Sequence, residues 1–191
     1  SDGLRSRSSD PIQGGAPYHG SDMAGWWSDP VPDFIDGTER LRGAMLHTIS
    51  IARTDDEIRG CFPIVAELRP HLVEEDFVPT VRRLMREQRY FLAYLLDGGV
   101  KAVAGIRTGE WLHSGRYLEV EEFVTTHASR SLGYGARFFD WVLRYAAEHE
   151  CSQVRLVSAV SRGDAHRFYV RQGMSHDAHY FAMDVPRDRT G

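Results

Sequence analysis

Two adjacent carboxylates, Glu121 and Glu122, interrupt the apolar run L-E-V-E-E-F-V at 118–124. Ionised side chains are costly to place in a core, so this run reads as a strand that opens onto a polar cleft, where a carboxylate can take or hold a proton. Successive strand residues face opposite sides of a sheet, so only one of the two faces that cleft unless a bulge re-aims the other. A second chemical feature follows at 130–136, R-S-L-G-Y-G-A, just ahead of the amphipathic pattern G-A-R-F-F-D-W-V-L-R-Y-A-A-E-H. A loop that leaves a strand and opens a helix offers unpaired N–H groups and the positive end of the helix dipole to an anion. Gly133 and Gly135 permit close backbone approach, and Arg130 supplies a guanidinium for the same anion. Taken alone, the pattern also fits a plain helix start with two permissive glycines.

These residues need a scaffold, and the chain shows one from His47 onward. H-T-I-S-I-A-R (47–53) alternates like a half-buried strand, and T-D-D-E (54–57) supplies a cap and an acidic first turn for a helix through I-R-G-C-F-P-I-V-A-E-L. Pro63 predicts a kink or an early break near Phe62. Phe77, Val81, Leu84 and Met85 recur at helical spacing with arginines opposite, which predicts a second helix. Y-F-L-A-Y-L-L and V-K-A-V-A-G-I-R-T, joined by D-G-G, predict a hairpin, and the acidic strand follows. After the glycine loop and its helix, Q-V-R-L-V-S-A-V, D-A-H-R-F-Y-V-R-Q-G and H-Y-F-A-M-D-V predict strand, short helix and strand. The order β-α-α-β-β-β-α-β-α-β describes an α/β domain over 46–185, with a mixed sheet covered on both faces. Residues 1–45, rich in Ser, Gly, Pro and Asp, read as a flexible tail, and 186–191 as a second, short one. Met23 and Met45 are candidate natural starts, which would make part of the first tail vector-derived, while Trp26 and Trp27 in it suggest docking on the domain or a partner.

Composition narrows the function classes. The formal charge of −4 gives no basic excess for phosphate backbones or anionic lipid, so nucleic acid is not the expected partner. Cys61 and Cys151, the only cysteines, suggest neither a disulfide framework nor a zinc site. With no signal-peptide layout and no run of apolar residues long enough to span a bilayer, a cytoplasmic protein is expected.

The run F-V-T-T-H-A-S-R-S-L-G-Y-G-A (123–136), with the later D-A-H-R-F-Y-V-R-Q-G-M (164–174), resembles the GNAT (GCN5-related N-acetyltransferase) superfamily. Its members carry [QR]-x-x-G-x-[GA] for acyl-coenzyme A and a later A-x-x-F-Y-x-x-x-G-[FM]. The resemblance covers about 47–185 and implies a GNAT fold, mostly antiparallel with helices on both faces, and acetyl-CoA as co-substrate. It implies that the backbone of Phe123, Val124 and Thr125 binds the pantetheine arm, and that Arg130, Ser131, Leu132, Gly133, Tyr134, Gly135 and Ala136 hold the pyrophosphate. Tyr169 matches the tyrosine that relatives place beside the sulfur, where its hydroxyl donates a proton. The acidic strand is similar to that of diamine acetyltransferases, which implies Glu121 as base or water relay and Glu122 as a substrate-orienting acid. Thr126, His127 and Leu132 depart from common family residues without affecting backbone binding. Arg162 stands where relatives carry an asparagine near the thioester, which puts positioning of the acetyl group in question. A dinucleotide-binding fold fits less well, because its glycine turn belongs to a parallel βαβ unit.

Trp111, His113 and Tyr117 flank the loop before the acidic strand, and Trp111 and Tyr117 are candidate acceptor-binding residues; an aromatic loop anchor is the alternative. His176 and His179 do not share a strand face, so no metal is expected. Arg82, Arg83, Arg86 and Arg89 recur along the second helix as a solvated face, with an acidic or RNA substrate as the sharper alternative. The expected activity is direct acetyl transfer, without a covalent enzyme intermediate, to the primary amine of a small molecule. A protein or aminoacyl-tRNA amine, and a non-catalytic acyl-CoA sensor, stay open, as does a homodimer.

Overall fold

The computed structural model describes residues 47–185. Strand β1 (Thr48–Ile51) leads to helices α1 (Asp55–Leu68) and α2 (Glu74–Gln88), then to strands β2 (Tyr90–Leu96), β3 (Val100–Trp111) and β4 (Gly115–Thr125). A short 3-10 turn (His127–Ser129) precedes helix α3 (Tyr134–Glu148), strand β5 (Gln153–Leu156) and helix α4 (Gly163–Arg171). The five strands form one sheet in the order β1-β2-β3-β4-β5. The first three pairings are antiparallel, and β4 pairs with β5 in parallel across the α3 crossover.

Local chemistry explains where the elements start. Thr54 caps α1 through a reciprocal box: its Oγ1 accepts from the Glu57 N–H at 3.2 Å, while Glu57 accepts from the Thr54 N–H at 2.7 Å. The helix then runs unbroken through Pro63. Burial of Ile58, Cys61, Ile64 and Val65 along one stripe offsets the hydrogen bond that a proline cannot donate. Helix α2 does the same with Pro79, burying Phe77 and Val81. The arginines on its outer face pair with acids, Arg82 with Asp55 at 2.7 Å and Arg86 with Glu87 at 3.1 Å, as a solvated face does.

The sheet separates two apolar layers. On one side α1 and α2 pack on Tyr90, Leu92, Val103 and Val124. On the other, Phe123 stacks on Phe138 of α3 at 5.6 Å and on Phe168 of α4 at 5.8 Å, as alternation with Val124 requires. The final predicted strand does not form: residues 174–185 contain no strand, and Tyr180, Phe181, Met183 and Val185 are exposed. Alternation proposes a strand, but only a partner edge makes one.

Phe138 is fully buried and joins α3 to the strand that carries the acids. Phe138→Ala should lower the unfolding free energy by about 3–5 kcal/mol, read as a fall in the urea midpoint at unchanged slope.

Candidate active site

The pairing of β3 with β4 contains one irregularity. Gly105 lies opposite Glu122 and Ile106 lies opposite Val120, so Glu121 is an extra residue with no partner on β3. This is a β-bulge, and it breaks the alternation that would send the two acids to opposite faces. Both carboxylates line one pocket of about 510 Å³ bounded by α2 and the α1–α2 turn.

The two acids are held differently. Arg107 of β3 pairs with Glu121 at 2.5 Å. Burial raises the Glu121 pKa above its ordinary value; Arg107 opposes that rise, while Glu122 and Glu119 add to it. Glu122 accepts a hydrogen bond from the Tyr90 hydroxyl at 2.9 Å and lies 3.4 Å from the Arg69 guanidinium. The same Arg69 nitrogen donates to the Glu121 carbonyl at 3.2 Å, so one guanidinium serves both the bulged backbone and the neighbouring carboxylate. Tyr90 is itself buried beside these acids, and its phenol stays protonated because burial, first, and Glu122, second, drive its pKa well up. The Tyr90–Glu122 bond spans from β2 to β4 and passes over Gly105 of the intervening strand. A Cβ at Gly105 would overlap both the phenol oxygen and the carboxylate. Bare backbone at that point lets the two side chains meet.

Next to the acids the sheet opens. β5 pairs with β4 only from Tyr117 to Val120, so the five residues from Glu121 to Thr125 have no β5 partner. Phe123, Val124 and Thr125 therefore present an edge without a strand partner, where the Thr125 carbonyl accepts from Arg130 Nε at 3.4 Å. The loop of 130–133 follows, with Ser131 at φ 62° and Gly133 at φ 86°. Gly133 is the N-cap residue of α3 and no side chain caps that helix, which leaves its first-turn N–H groups available to an anion. Leu132 and Arg130 are exposed. Tyr134 turns away from the loop and its hydroxyl donates to Asp97 at 2.7 Å, anchoring the start of α3 to the β2–β3 turn. Gly135 packs beside Thr125 and Phe168, with Ala136 next in the first turn.

Tyr169, on α4, packs against Phe123, Phe139 and Phe168. Burial raises its pKa and the charge of Arg162 pulls the other way. Arg162 is the exposed N-cap residue of α4. Trp111 and Tyr117 meet edge to face at 5.6 Å, and the Arg155 guanidinium lies 3.3 Å from the Tyr117 ring centroid and 3.5 Å from that of Trp111. Arg155 also pairs with Glu119 at 3.0 Å. This cluster, with His113 on Trp111, lies outside the lining of the pocket that holds Glu121 and Glu122. His176 and His179 meet ring to ring at 5.9 Å in a segment that is not a strand. Among the described residues no group of three or more His, Cys, Asp or Glu is placed to hold a metal ion.

Several site residues carry no signal in the sequence. Arg69, Tyr90 and Arg107 come from three elements, and only the sheet brings them to the acids. Glu67 is another: from α1 it accepts from the Thr126 hydroxyl at 2.6 Å and the His127 N–H at 2.8 Å, fixing the segment between β4 and the glycine loop. Gly105 had a faint signal as a lone glycine inside a strand pattern.

An unpaired strand edge, an uncapped helix start beyond it and a carboxylate pocket beside it thus lie along one stretch of the chain. A model of the acetyltransferase (GNAT) family matches residues 51–174. The chain belongs to that family. It is similar to YhdJ of Bacillus subtilis, described as an uncharacterized N-acetyltransferase, at 29% identity over 143 residues, which is 74% of this chain and 100% of YhdJ. Its fold is similar to glucosamine-6-phosphate N-acetyltransferase from Arabidopsis thaliana, with TM-score 0.60 and 15% identity over 73% of this chain and 99% of that one. It is also similar to ribosomal-protein-alanine N-acetyltransferase from Brucella melitensis, with TM-score 0.63 and 14% identity over 73% of this chain and 99% of that one. Among the described residues no helix is long and apolar enough to cross a membrane.

The bare backbone at Gly105 makes a direct prediction. Gly105→Ala should break the Tyr90–Glu122 hydrogen bond and cost about 1–3 kcal/mol of stability by overpacking. Tyr90→Phe, which loses the bond without the clash, should cost no more than Gly105→Ala by urea denaturation.

Proposed function

We propose that this protein transfers an acetyl group directly from acetyl-CoA to the primary amine of a small molecule, with Glu121 as base and Tyr169 as acid. The observation that supports this most is the bulge that puts both carboxylates in one pocket beside the unpaired edge of β4. The described residues fit the donor: an extended pantetheine arm can take the place of the missing strand along Phe123–Thr125, and a pyrophosphate suits the uncapped start of α3, where the loop turns at Gly133. Arg130 is exposed beside that turn and Arg162 lies toward Tyr169. When bound, the thioester supplies the acetyl group and a thiol leaving group.

The residues divide the proton work. An amine at neutral pH is mostly an ammonium ion, so a base must take one proton before its lone pair can attack. Glu121 is suited to that task, because burial raises its pKa toward neutrality while Arg107 limits the rise. Glu122, fixed by Tyr90 and Arg69, has less freedom and serves to orient the ammonium. Tyr169 keeps its proton at neutral pH, since burial raises its pKa, and so has a proton to give to the departing sulfur; the second amine proton, lost as the amide forms, replaces it on the phenol. Neither Cys61 nor Cys151 is suited to carry the acetyl group. Burial pushes the Cys61 thiol up to about 12 and also raises Cys151, which keeps both as thiols rather than nucleophilic thiolates.

Thiol release from acetyl-CoA in the presence of an amine panel tests this reading. Tyr169→Phe and Glu121→Gln should each lower kcat by about 10²-fold or more while the Kd for acetyl-CoA stays within a few-fold of wild type. Binding without turnover on any amine would reject the catalytic reading in favour of a sensor. The acid limb of the kcat/KM profile should lie above the ordinary glutamate value. Arg107 lowers the Glu121 pKa, so Arg107→Gln should move that limb to higher pH with the same acceptor, and an unmoved limb would exclude Glu121 as the titrating base.

A further inference from the structure

We infer that the acceptor is a monoamine on an apolar alkyl or aryl body, an inference that rests on the reading of this pocket as the acceptor site. The walls are the inner stripe of α2, with Phe77, Val81 and Leu84, and the α1–α2 turn, with Leu72 and Val73. At about 510 Å³ the pocket accommodates a small organic body rather than a methylamine-sized one.

Its polar groups divide in two: Tyr90, Arg69, Glu121 and Glu122 are engaged with one another or with Arg107, while His71 and Asp76 are solvent-exposed. The lining contains no Asn, Gln or Ser. The Tyr90 hydroxyl is committed to Glu122, and Arg69 to Glu122 and the Glu121 carbonyl. That leaves Thr80 as the one other hydroxyl in the lining. A sugar or a peptide backbone placed against Phe77, Val81 and Leu84 would bury hydroxyls or amides without partners, which is unfavourable. An anionic substituent would meet the carboxylates of Asp76, Glu121 and Glu122. The charge pattern also selects for one cation. Each inner acid already shares a guanidinium, Arg107 on Glu121 and Arg69 on Glu122, so the pair has little charge left for a second ammonium. A second cation would reach only Asp76, which is solvent-exposed and offers a weak, screened attraction.

The test uses the full chain with acetyl-CoA and a series of n-alkylamines from butyl to octyl, alongside phenethylamine, spermidine, glucosamine 6-phosphate and an alanine-initiated peptide. The acceptor KM should fall about fourfold for each added methylene until the pocket is filled, as burial of apolar surface requires. Phenethylamine should be used at least tenfold better, by kcat/KM, than the polyamine, sugar or peptide. A KM independent of chain length, or a tenfold preference for any of those three, overturns the inference while leaving acetyl transfer to amines intact. If acetyl-CoA binds and no amine of any class releases thiol, the catalytic reading fails and takes this inference with it.

Discussion

A β-strand alternates its side chains between the two faces of a sheet, and at Glu121 the strand β4 departs from that rule. The inserted residue puts two carboxylates on one side and leaves Phe123 free to face the other, where it stacks on α3 and α4. A regular strand with the same sequence would place one acid among those aromatic rings, where ionisation is costly. The bulge has its own cost, an unpaired backbone carbonyl, and Arg69 offsets it by donating to Glu121 while also contacting Glu122. The irregularity, the acid pair and the arginine form one mutually dependent arrangement.

Charge in this region is balanced across strands rather than by solvent. Arg107 contacts Glu121, Arg155 contacts Glu119, and Tyr90 reaches Glu122 over the bare backbone of Gly105. Such close pairing lets partly buried acids remain within the sheet. It also distinguishes the two acids, because Glu122 has two partners, Tyr90 and Arg69, while the Glu121 pKa is raised by burial against the opposing charge of Arg107. The aromatic cluster of Trp111 and Tyr117 is occupied by Arg155 and supports the outer end of the same strand.

The opening between β4 and β5 is the second constraint. Parallel pairing ends at Val120 and Leu156, immediately before the bulge, so the unpaired edge and the carboxylate pocket start at the same point of the chain. Glu67 ties the far end of that edge to α1 through Thr126 and His127. The strand edge and the walls of the pocket are thus joined through one helix, α1, which contributes Val65 to the lining and ends in Arg69 at its C-cap.

Much of this was legible in the residues. Hydrophobic periodicity located the helices and all five strands, and proposed a sixth that does not form, because amphipathic spacing is local; Gly133 ahead of a strong helix pattern marked the start of α3. The adjacent acids announced a polar cleft, and the alternation rule stated in advance that only a bulge could put both in it. Whether one existed depends on the register of β3 against β4, which is a pairing between distant segments and not a property of either. The same holds for Arg69, Tyr90 and Arg107, whose partners lie on other elements, and for Pro63, where burial of the helix stripe outweighed a local breaking preference. It holds in reverse for H-Y-F-A-M-D-V, which alternates like a strand but pairs with none. Sequence determined which residues were available for chemistry, since their types and local periods are written in the chain. Only the tertiary structure decided which of them meet, because a register, a crossing side chain and a missing strand partner are all relations between segments far apart in sequence.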